Sequence, residues 1–178
     1  MAKRPNKKTD WPDQLFSVLR AANVKQVAYV PDAGHAQLIK RCSASNQMRA
    51  VALTSEQEGC ALLAGAWLGG ERGVLLMQSS GVGNCVNMLG MIQECRFPLL
   101  MIVTMRGQWG EFNPWQIPMG QSTSEVLKSA GVIVQEAADA SAVVETVESS
   151  LKLAFDSYRA AAVLISQRVI GTKTFQVK

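Results

Sequence analysis

The sequence predicts a doubly wound α/β domain, a mostly parallel six-stranded sheet with helices on both faces. Two observations predict it. Six short apolar runs recur along the chain, at 25–30, 50–54, 73–78, 99–104, 132–135 and 161–166. Several are apolar on both faces, as strands covered from above and below must be. Helix-length segments separate them, and strand-helix alternation implies parallel strands joined by right-handed crossovers. The clearest helical segment is 141–158. There Val143, Val144, Val147, Leu151, Ala154, Phe155 and Tyr158 share one face at 3.6-residue spacing. The first helix begins at Asp10-Trp11-Pro12, with Asp10 expected as the cap and Pro12 in the first turn. The expected organisation is a basic tail over 1–9, one domain over 10–170 and a C-terminal tail over 171–178.

Composition narrows the function classes. The 178 residues fit one domain, long enough to bury roughly 70% of the unfolded chain's surface. No apolar stretch runs uncharged for the ~18 residues a membrane helix needs. The basic N-terminus lacks the apolar run of a secretory signal, so a cytoplasmic protein is expected. The net charge of +4 is small, and much of it sits in Lys3, Arg4, Lys7 and Lys8. Without interleaved aromatics these residues read as a solvated tail and not as a nucleic-acid arm. Cys42, Cys60, Cys85 and Cys95 show no Cys-x-x-Cys spacing, and the chain has one histidine. That excludes a zinc constellation and leaves four free thiols, expected to be buried in apolar helices. Met77, Met88, Met91, Met101 and Met105 read as core filler.

Ligands of doubly wound sheets bind at the carboxyl ends of the strands. That rule selects 31–35, 55–56, 79–84 and the long aromatic loop 105–119. Ser55 and Glu58 have capping-box spacing, which leaves Glu56 without a required local task. Glu56 is then either a first-turn acid favoured by the helix dipole or a carboxylate placed for proton exchange. The helix after it is apolar nearly all round and needs burial, for which a partner chain is one candidate cover. Ser79-Ser80-Gly81-Val82-Gly83-Asn84 is expected as a strand-to-helix turn. It is not a dinucleotide fingerprint, because Val86 occupies the third glycine position, and it is not a Walker loop. A plain turn using glycine for unusual φ remains the alternative. His35 is placed either as a general acid or as a partly packed helix-start residue. Arg106 is placed either to bind an anion bidentately or to pair with Glu111.

Taken jointly, these residues resemble the pyrimidine-binding (Pyr) domain of thiamine diphosphate (ThDP)-dependent 2-oxo acid decarboxylases. Glu56, Gly65 nine positions on, the apolar run 73–78 and the Ser-Gly-x-Gly-Asn segment carry the likeness. Met77 to Asn84, Asn87, Arg106-Gly107 and the stretch 109–116 are similar to the sulfopyruvate and phosphonopyruvate decarboxylase branch, including its α subunits. The resemblance implies that Glu56 activates the aminopyrimidine of ThDP to form its C2 ylide. It implies that Ser80, Gly81, Val82 and Asn84 join Glu56 in binding the cofactor. His35 would move protons or contact substrate, and Gln78 and Arg106 would contact a small anionic 2-oxo acid. The family's Gly-Asp-Gly…Asn motif for Mg²⁺ and diphosphate does not occur here. The resemblance therefore implies a partner β subunit carrying the diphosphate-binding domain and the Mg²⁺, in a hetero-oligomer with no metal ligand on this chain. A silent binding or regulatory module with the same fold, or a ThDP carboligase subunit, is the alternative.

Overall fold

The computed structural model describes residues 10–172. The expected basic tail and residues 173–178 of the expected C-terminal tail lie outside the described residues. The elements run α1 (Trp11–Ala21), β1 (Val24–Tyr29), α2 (Ala36–Ser43), β2 (Arg49–Ala52), α3 (Glu56–Leu68), β3 (Arg72–Gln78) and α4 (Ser79–Cys95). They continue with β4 (Leu99–Thr104), a 3₁₀ turn at Pro114–Gln116, α5 (Ile117–Ser129), β5 (Ile133–Ala137), α6 (Ala142–Phe155), β6 (Ala160–Ile165) and α7 (Gln167–Ile170). All six expected strands form one sheet of order β2-β1-β3-β4-β6-β5. Every pairing is parallel.

The apolar character of the central strands explains the two helical layers. In β3, Val74 and Leu76 enter one core with Leu15 and Leu19 of α1, Leu38 of α2 and Val147 and Leu151 of α6. Leu75 and Met77 enter the other with Leu63 of α3, Cys85 and Leu89 of α4 and Leu127 of α5. Successive strand side chains point to opposite faces, so a strand buried on both must be apolar at every position. β4 meets that condition throughout, with all six residues buried.

Three local expectations need correction. Asp10 stands at the N-cap of α1 but its side chain caps nothing, because its backbone (φ −81°, ψ 39°) lies outside the extended geometry a cap needs. The Ser79–Asn84 segment is not a turn: α4 starts at Ser79, directly after extended Gln78. Neither Gly81 nor Gly83 has a positive φ, so their role is steric. Cys42, Cys60 and Cys85 are buried free thiols, but Cys95, at the solvent-facing end of α4, is exposed.

Leu100, in the middle of β4, is fully buried. Leu100→Ala is expected to destabilise the fold by about 2–5 kcal/mol, lost transfer energy plus a cavity, read as a lowered urea midpoint at unchanged slope.

Candidate active site

The first turns of α3 and α4 meet at the carboxyl edge of the sheet. Glu56 is the first residue of α3 and is only 6% exposed. Its neighbour Glu58 braces the helix start, but the expected capping box is incomplete. Ser55 makes no side-chain cap, while Glu58 accepts from the Thr54 amide at 3.0 Å and from the Thr54 hydroxyl. That arrangement leaves the Glu56 carboxylate to face α4. There Asn84 Nδ2 donates to Glu56 Oε2 at 2.8 Å. A methyl group on Gly81 would stand 2.5 Å from the Glu56 carboxyl carbon, so glycine there lets the carboxylate lie against the start of α4. Val82 is buried behind Gly81, and Ser80 is half-buried beside it. Gln78, the last residue of β3, has a buried amide oxygen with no hydrogen-bond partner among the described residues.

A second polar cluster sits beyond the ends of β1, β4 and β6. Arg106 forms a bidentate pair with Glu111, Nε to Oε2 at 2.7 Å and Nη2 to Oε1 at 2.6 Å. Both side chains are largely buried. Glu111 also accepts from the amides of Gly107 and Asn113 and from Gln167 Nε2 at 3.0 Å. Gln167 Oε1 in turn accepts from the amides of Gln108 and Trp109. The Arg106 hydrogen bonds, with the two backbone amides, hold the Glu111 carboxyl down to about 2 against the opposing effect of burial. Of the two sequence readings of Arg106, the structure takes the pair with Glu111. The Ser79 hydroxyl accepts from the Arg106 amide at 3.0 Å, tying this cluster to the start of α4.

His35 does not reach this surface. It is fully buried at the start of α2, and its Nε2 donates to the Ile102 carbonyl at 3.0 Å. Burial pushes its pKa down, against the raising effect of the Asp32 carboxylate and the Ile102 and Met77 carbonyls. Asp32 accepts from Thr104 Oγ1 at 2.6 Å and from the Gly34 amide at 3.1 Å. A small cleft of about 130 Å³ opens there, lined by Asp32, Gly34, Thr104, Arg106 and Thr172. The structure thus brings together Glu56, Gly81, Val82 and Asn84, and sets His35 and Arg106 apart in structural ties.

Sequence reasoning selected the loop that holds Asp32 without giving Asp32 a role, and missed Thr104 and Gln167. Gln167 was findable, because it follows β6 at the same carboxyl edge that selected the other loops. Two further features frame the site. A cleft of about 600 Å³ between α1 and α6, lined by Val18, Arg72, Leu151 and Lys152 among others, excludes Glu56. The outer faces of α3 and α4 stand open. Leu68 is 75% and Val86 44% exposed, and nothing lies within 4 Å of a side chain built at Gly65 or Gly90.

This edge, with a buried carboxylate gripped by a glycine-bearing helix start, belongs to a family of cofactor enzymes. Residues 10–132 match the N-terminal TPP-binding domain of thiamine pyrophosphate enzymes, thiamine pyrophosphate being ThDP, and the chain belongs to that family. It is 33% identical over 122 residues to a sulfopyruvate decarboxylase subunit alpha of Methanothermobacter thermautotrophicus, covering 68% of this chain and 74% of the relative. A phosphonopyruvate decarboxylase of Streptomyces viridochromogenes is 37% identical over 115 residues, 64% of this chain but 29% of that longer protein. In fold, the chain is similar to 2-oxoglutarate:ferredoxin oxidoreductase from Magnetococcus marinus, with TM-score 0.69 at 15% identity over 90% of this chain and 29% of the other.

The Glu111 cluster has a measurable signature. Its carboxyl is depressed from an ordinary value of 4.5 to about 2 on folding. The stability it contributes is therefore complete above about pH 4.5 and lost as pH falls toward 2. A depression of that size corresponds to about 3 kcal/mol. Glu111→Gln is expected to flatten the acid limb of a urea-midpoint profile between pH 5 and 2, while the wild-type chain loses stability steeply there.

Proposed function

We propose that this chain is the Pyr-domain subunit of a two-chain, ThDP-dependent 2-oxo acid decarboxylase. The observation that carries the proposal is the buried Glu56 carboxylate, held at a helix start against Gly81 and bonded to Asn84. A carboxylate in that cradle suits a ring nitrogen that must share a proton, so the residues present fit the aminopyrimidine of ThDP. When bound, ThDP supplies the carbon nucleophile and electron sink that allow a 2-oxo acid to lose CO₂. Glu56 would accept the hydrogen bond of the pyrimidine ring nitrogen and hold that proton in place. Gly81 and Val82 would line the ring, with Ser80 at its margin. Fixed in advance, these groups spend no reorganisation when the proton moves.

The substrate class follows from relatives named for sulfopyruvate and phosphonopyruvate, both small anionic 2-oxo acids. Gln78, at the carboxyl end of β3, is the residue of this chain we place nearest such a substrate, its side-chain NH₂ being the group able to donate to an anion. Arg106, paired with Glu111, and His35, bonded to Ile102, would act by shaping the floor. We assign Mg²⁺ and the diphosphate to a β subunit. Three relatives are named as alpha subunits, and the open faces of α3 and α4 give a second chain a surface to cover. No helix among the described residues is long and apolar enough to cross a membrane. Three buried free thiols suit a reducing compartment, and we place the enzyme in the cytoplasm.

The test is Glu56→Gln in the assembled two-chain enzyme. Turnover is expected to fall by about 10²-fold or more, the scale of a lost acid-base group, while size-exclusion chromatography shows the complex intact. Full turnover in Glu56→Gln removes Glu56 from the mechanism.

A further inference from the structure

We propose that Asn84 is a positioning residue for Glu56: its side-chain amide fixes the carboxylate in the orientation that serves the cofactor. The inference rests on the ThDP reading above and deepens it. Asn84 lies three positions after Gly81 on α4, so the two share a helix face. Both touch the same carboxylate, from different sides. Gly81 gives it a wall without a side chain, and Asn84 Nδ2 donates to Oε2 at 2.8 Å. In that bond the amide nitrogen donates and the carboxylate oxygen accepts.

The arrangement matters because Glu56 has freedom that the rest of the site does not remove. Its backbone is fixed at the first position of α3, but three side-chain torsions separate that backbone from the carboxylate. Ser55 makes no side-chain cap beside it, and Glu58 is occupied with Thr54. The Asn84 amide is the side-chain hydrogen bond to the Glu56 carboxylate among the described residues. A misplacement of about 1 Å at a reacting group costs as much as 10²-fold in rate. One hydrogen bond at 2.8 Å therefore has a kinetic role out of proportion to its contribution to folding. Asn84 itself is exposed, so replacing it leaves both cores intact.

The test uses the two-chain enzyme with ThDP and Mg²⁺, comparing wild type, Asn84→Ala and Asn84→Asp. Two quantities are read: the dissociation constant of ThDP, and the rate at which the C2 proton of bound ThDP exchanges with deuterated water, by quenched-flow NMR. Asn84→Ala is expected to slow exchange by about tenfold with the ThDP dissociation constant nearly unchanged. Asn84→Asp, which sets a second carboxylate against Glu56, is expected to slow it further. Exchange at the wild-type rate in Asn84→Ala overturns the inference. So does a dissociation constant that worsens in step with exchange, which makes Asn84 a cofactor ligand and not a positioner. A wild-type complex that neither binds ThDP nor exchanges C2 overturns the ThDP reading and this inference with it.

Discussion

The site depends on the contact between the first turns of α3 and α4. Gly81 keeps the Glu56 carboxylate in place there, because a side chain at that position would overlap it and push it aside. The contact continues into the core. One helical turn below Glu56 and Gly81, the thiols of Cys60 and Cys85 are buried in the same core. Below them Ala64 and Leu89 pack in the same core. Small or adaptable side chains line this seam, which lets two helix starts stand together at one edge of the sheet. The geometry places a carboxylate, two orphan helix ends and a glycine wall within one small region. Fold and site are therefore one problem here: the packing that closes the seam also builds the cradle.

The sheet was legible because burial leaves a strong mark on sequence. β3 and β4 are apolar at nearly every position, and no surface element tolerates that pattern. Glu56 was legible because the capping pattern assigned work to Glu58 and left its neighbour over. The details of that assignment changed, since the Ser55 side chain caps nothing and Glu58 also takes up the Thr54 amide and hydroxyl. The glycine segment was legible as a unit but not as a helix. Two glycines in six residues argue against helix on propensity, and packing against α3 and Met119 overrode it.

What stayed hidden was tertiary. The Asn84–Glu56 bond joins residues 28 positions apart, on helices separated by a strand. Nothing local marks Asn84 as a donor to that carboxylate. Gln167 organises the 106–113 loop from 56 to 59 residues away. His35 read as partly packed at most, and its full burial rests on a bond to the Ile102 carbonyl of β4, 67 positions away. Arg106 and Glu111 are only five residues apart, yet local spacing fits an ion pair and an anion site equally well. The Gln167 amide and the two loop amides that converge on Glu111 decide it.

The central claim is that this chain is half of a cofactor site, completed by another polypeptide. The most direct measurement is native mass spectrometry of the chain purified from its own cells under conditions that keep complexes together. The account predicts a stoichiometric second chain of comparable size carrying a Gly-Asp-Gly…Asn motif, with one ThDP and one Mg²⁺ for each pair. A chain that comes through alone, or beside an unrelated protein with no ThDP bound, contradicts it and returns Glu56 to the status of an ordinary helix-start acid.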